Sequence, residues 1–138
     1  MIAELAIWVV WILASALMFR LLSVWDQLPE RVAVHFGVSL QPDGWGRKST
    51  MALLIVLVVV GHAVFTTWLV LRHGQGNEIV ATILLATATI LFSVFWQAIT
   101  FNISGKPLKA IWIVLPVLLI VGATAALLSR ILFLHPVR

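Results

Sequence analysis

TMALLIVLVVVGHAVFTTWLVL, residues Thr50 to Leu71, carries no ionisable side chain except His62. As a helix rising 1.5 Å per residue, a run of about 20 residues crosses the ~30 Å hydrocarbon core of a bilayer. Lipid demands a helix here, because it leaves no backbone amide without a partner inside the segment. Three more runs of the same kind flank it, at about Leu5–Val24, Ile79–Phe101 and Ala110–Ser129. Hydrophobic residues make up 62% of the 138-residue chain and charged ones 10%, and the mean hydropathy is +1.12. A soluble domain of this length could not bury so much apolar surface, since globular domains average about half apolar and a quarter charged. The sequence therefore reads as a single-domain, all-α integral membrane protein: a four-transmembrane-helix bundle with an ordered interfacial loop, residues 25–49, between helices 1 and 2. The first run begins with Glu4 rather than a basic cluster and is too long for a cleavable signal core, so it reads as a retained span.

The charges agree with this class. The net charge is +4, and the basic residues cluster at the ends of apolar runs, where they meet lipid headgroups rather than nucleic acid. No cysteine is present, which removes disulfides and thiolate metal sites. Short connections at Arg72–Glu78 and Asn102–Lys109 make neighbouring helices antiparallel. Arg72, Arg130 and Arg138 then lie on one side, and Arg31, Arg47, Lys48, Lys106 and Lys109 on the other. Arg20 joins the second group by snorkelling or meets Gln97 at the same depth. By positive-inside counting the long loop faces the cytoplasm, though by a small margin.

That loop contains LPERVAVHFGVSLQPDGWGRK, Leu28 to Lys48, with three acids and three bases between Trp25 and Ser49. Arg31–Phe36 alternates, which predicts a short extended segment with Val32, Val34 and Phe36 on one face and Arg31, Ala33 and His35 on the other. Gln41-Pro42-Asp43-Gly44 has the chemistry of a tight turn. Ser49 or Thr50 is placed to cap the following helix, and Trp25 and Trp45 suit the membrane interface. A bridge between Asp43 and Lys48 could close the turn.

These residues resemble the motif of the SdpI-like family, bacterial membrane proteins that include toxin-immunity proteins. Leu28-Pro29, His35-Phe36, Pro42-Asp43-Gly44-Trp45 and Lys48 carry the resemblance, between a first and a second span. Ala33, Gly37 and Leu40 depart from it, standing where proline, asparagine and glycine are usual. The resemblance implies a multi-pass protein of the bacterial cytoplasmic (inner) membrane with this loop on the extracytoplasmic side, opposite to the charge count. It also implies an immunity or sensing module that binds or shields against a membrane-active peptide, with His35, Phe36, Asp43, Trp45 and Lys48 as the binding surface.

Inside the spans, His62 is the titratable residue, and such residues are functional hypotheses. Thr82, Ala86, Thr89, Ser93, Gln97 and Thr100 follow helical steps of three or four and form one stripe. The stripe should face the bundle and offer hydroxyls to His62 near Thr89. Gly122 and Ala126 form a small-residue pair that suits close helix packing, within the bundle or in a homo-oligomer. One histidine and one aspartate do not make a zinc site, and no triad, phosphate loop or carboxylate pair appears. No catalytic residue, metal or cofactor is expected, and an enzyme is not. Two rival functions remain: an accessory subunit of a larger membrane complex, and a small transporter using His62, Thr89, Ser93 and Gln97.

Overall fold

The structure is a computed structural model that describes residues 2–73 and 78–134. Helix α1 runs Ile2–Ser23 and is followed by a 3-10 turn at Trp25–Gln27. Strands β1 (Arg31–Phe36) and β2 (Pro42–Arg47) form an antiparallel hairpin. Helix α2 (Lys48–Ile55) continues through a π-helical turn at Val56–Val60 into α3 (Gly61–His73). Helices α4 (Glu78–Ser104) and α5 (Ile111–Leu134) complete the order. Three helical segments, Ala3–Ser23, Lys48–Arg72 and Glu78–Ser104, are long and apolar enough to cross a membrane, as in a multi-pass membrane protein. The expectation for Arg138 falls outside the described residues. The small sheet is a departure from an all-α chain.

Packing follows helical periodicity. Ala3, Ala6, Val10, Ala14, Leu17 and Leu21 on α1, and Val24 just beyond it, are buried and recur at steps of three and four. Their main neighbour is α4, which presents Ala81, Ala88, Phe92, Phe95 and Ile99 to the same clusters. Alanines at the near end of the crossing let the two backbones approach closely. Met51, Ile55, Val59 and Ala63 keep one face of the second span buried at steps of four. A straight α-helix would carry such a series gradually off the face; the wider π turn holds it in line. The outer surface is apolar: Trp8, Phe19 and Leu71 are each more than 70% exposed, as residues facing lipid should be.

The hairpin is rooted in this core. Leu28 and Val32 are buried and pack with Val24, Met51 and Ile55. Two features differ from the period-two reading. Val34 is an extra residue between the pairs Ala33–Trp45 and His35–Gly44, and Asp43 is an extra residue between His35–Gly44 and Phe36–Pro42. The two bulges offset each other, so alternation fails and Ala33, expected beside exposed His35, is fully buried. The turn also differs. It is closed by the Gly37 amide donating to Gln41 O at 2.9 Å and the Leu40 amide donating to Gly37 O at 2.8 Å, with Leu40 at φ 59°. Pro42, Asp43 and Gly44, expected to turn, lie in β2. Finally, α2 begins at Lys48 with Arg47 as its cap residue and no side-chain cap, so Ser49 and Thr50 lie inside the helix. The Lys48 amide donates to Glu30 O at 3.2 Å, carrying the hairpin ladder straight into the helix.

Candidate functional site

The bulge at Asp43 turns its carboxylate toward the bulged partner strand. His35 Nδ1 lies 2.5 Å from Asp43 Oδ1. A carboxylate can only accept, so the imidazole donates from Nδ1 and keeps Nε2 for another partner. The pair is open to the outside, with side-chain exposures of 72% and 53%. Glycines make the approach feasible. A Cβ on Gly44 would stand 2.8 Å from His35 Cβ, and one on Gly37 would stand 2.9 Å from Asp43 Oδ2. Trp45 is half exposed, and Val38 at the turn is fully exposed. The hairpin therefore presents an imidazole, a carboxylate, an indole and an apolar tip.

The other two expected site residues have different work. Phe36 packs edge-on against Phe101 of α4, with centroids 5.4 Å apart. Lys48 binds Glu30, Nζ to Oε1 at 2.9 Å, and lies 5.3 Å from the centre of the Trp25 ring. The bridge expected between Asp43 and Lys48 is thus divided: each has a nearer partner. Phe36 and Lys48 fix the hairpin, whereas His35, Asp43 and Trp45 face outward.

Asn102 was not singled out by sequence reasoning, yet it ties β1 to α4. Its Oδ1 accepts the Ala33 amide at 2.7 Å, and its Nδ2 donates to Ala33 O at 3.0 Å and to Ala98 O at 2.9 Å. One side-chain amide thereby mimics a neighbouring strand at the middle of β1. The available signal was an amide residue at the end of an otherwise apolar helix, but its partner is 69 residues away in sequence.

The intramembrane group is more self-contained than expected. His62 Nε2 donates to the backbone oxygen of Leu84 at 3.0 Å, rather than to Thr89. The hydroxyls of Thr82, Thr89 and Thr100 return to the carbonyls four residues earlier in α4. A helix carbonyl one turn back is always within reach of threonine, so these groups need no partner across the bundle. Gln97 accepts the Lys109 amide at 2.6 Å. Arg20 places its guanidinium 5.3 Å from the centre of the Trp96 ring rather than against Gln97. Thr66, also not foreseen, is fully buried with an unpaired hydroxyl among the described residues. Gly122 and Ala126 are exposed on α5, and a Cβ at Gly122 would meet open space. No group of three or more metal-ligating side chains occurs among the described residues.

Residues 6–60 match the family model described as "Domain of unknown function (DUF1648)". That match takes in most of α1, the whole hairpin and the second span as far as the π turn. No curated protein and no solved structure matches the chain.

Proposed function

We propose that this protein is an SdpI-like immunity or sensing module of the bacterial inner membrane, and that its hairpin binds or shields against a membrane-active peptide. The observation that carries the reading is the exposed His35–Asp43 pair, held by two close glycine approaches beside exposed Trp45 and Val38. Polar and apolar groups displayed together on a rigid support suit an amphipathic peptide lying at the membrane surface. The matched region, residues 6–60, includes every one of these residues. In this reading α5 is the fourth span, since its 24 residues reach about 36 Å as a helix. Both termini then share the cytoplasmic side and the hairpin faces outward, where such a peptide arrives.

The test is survival of bacteria that express the chain during challenge with a panel of purified membrane-active peptides. The wild type should protect against at least one of them. His35→Ala and Trp45→Ala should each abolish that protection at unchanged membrane level. Undiminished protection by both variants, or none from the wild type, overturns the reading.

One observation favours a second reading, an accessory subunit. Gly122 and Ala126 are a small-residue pair exposed on α5, where a Cβ on Gly122 would meet no atom of the described residues, and such pairs promote close helix contact. Extraction in mild detergent would then yield a larger complex. A lone chain that still protects cells would exclude it.

A further inference from the structure

A groove of about 490 Å³ lies between the C-terminal half of α4 and the start of α5, and no hairpin residue is among those lining it. Its apolar wall is Phe92, Trp96, Leu108 and Trp112. Phe92 to Thr100 is eight helical steps, so the lined wall of α4 extends about 12 Å into the membrane. At its mouth stand the exposed Lys106 and Lys109. Trp112 is 56% exposed beside them, a placement typical of the headgroup level.

The polar groups of the groove are unbalanced in one direction. Lining residues include two lysines and the amide of Gln97, and no acid. Gln97 spends its oxygen on the Lys109 backbone, and its Nε2 is buried without a partner among the described residues. Just behind Trp96, the buried Nε of Arg20 also lacks one. A buried donor left unpaired costs about 1–3 kcal/mol, so this end of the molecule calls for an acceptor rich in oxygens. Cations at the mouth and an apolar channel below match an anionic headgroup joined to an acyl chain, and basic pockets between spans bind acidic lipid headgroups.

We propose that this groove binds one acidic phospholipid, with its phosphodiester at Lys106 and Lys109 and an acyl chain against Phe92, Trp96 and Trp112. The inference does not depend on the immunity reading. It requires only that the α4–α5 turn lies at the membrane surface.

Purified protein in bilayers of equimolar phosphatidylglycerol and phosphatidylcholine, released and weighed by native mass spectrometry, tests it. One phosphatidylglycerol should be retained per chain, at a preference of roughly thirty-fold, which is about 2 kcal/mol for two lysines near the headgroup. Lys106→Gln combined with Lys109→Gln should bring the preference close to one. Arg31→Gln combined with Arg47→Gln removes equal charge from the hairpin and should leave it intact. Ser93→Phe fills the groove and should cost retention with every charge in place, which covers the case in which the lysine variant unfolds. Inorganic phosphate at millimolar concentration should not displace the lipid. No preference in the wild type, equal loss in the arginine variant, full retention in Ser93→Phe, or displacement by phosphate alone would each overturn the proposal.

Discussion

Replacing Asn102 by alanine should loosen the hairpin without disturbing the spans. The side chain pairs with both the N–H and the C=O of Ala33, at 2.7 and 3.0 Å, and Ala33 is fully buried. Truncation leaves that N–H with no acceptor in reach. A buried unsatisfied backbone group costs about 1–3 kcal/mol, and a lost neutral hydrogen bond about 1 kcal/mol more. The expected loss is therefore about 2–4 kcal/mol, concentrated on the hairpin and the α4 end that supports it. Asn102→Asp keeps the acceptor for the Ala33 amide but loses the donor, and should fall between alanine and wild type. Thermal unfolding in mild detergent measures the loss, and limited proteolysis at the exposed Val38 turn locates it. Cleavage there should accelerate in the order wild type, aspartate, alanine. If Asn102→Ala unfolds within about 0.5 kcal/mol of wild type and resists protease equally, the strand-mimic argument is wrong.

Other positions give independent checks. Leu40→Gly should stabilise the protein by about 1 kcal/mol in thermal unfolding, because Leu40 holds φ 59° and glycine carries no left-handed penalty. Gly44→Ala should separate His35 from Asp43, since the new Cβ would meet His35 Cβ at 2.8 Å; a changed imidazole environment by NMR reports it. Thr66→Val should be neutral or stabilising by about 1 kcal/mol, as it removes a buried hydroxyl with no partner among the described residues while keeping the shape. Glu30→Gln should change stability by less than about 1 kcal/mol, because the carboxylate facing Lys48 is 84% exposed.

The sequence disclosed three of its four expected spans because hydropathy is a property of composition, and a run such as Thr50–Leu71 leaves a backbone in lipid no alternative to a helix. It disclosed less of the hairpin. Alternation from Arg31 to Phe36 suggested a strand, but paired bulges at Val34 and Asp43 broke the period that assigns faces. Pro42-Asp43-Gly44 has turn chemistry, yet the turn formed about four residues earlier, over Gly37–Gln41. There Leu40 accepts a strained φ, and Pro42 sits in a two-stranded sheet that can dispense with its N–H. The motif marks His35 and Asp43 as candidate site residues. Their direct contact was not legible, because it depends on those bulges and on glycines at 37 and 44 that admit the approach. Asn102 was the least legible. Nothing near it in sequence records that the hairpin edge arrives at that height of α4, and only the folded chain brings Ala33 to it.

Backbone amide hydrogen exchange of the chain in lipid nanodiscs bears most directly on the central claim, that residues 31–47 form a rigid hairpin seated on the end of α4. The Ala33 amide, bonded to Asn102, and the paired amides of Arg31–Phe36 and Pro42–Arg47 should exchange far more slowly than an unstructured chain. Exchange of these amides at the free-chain rate, with the helical spans still protected, would contradict it.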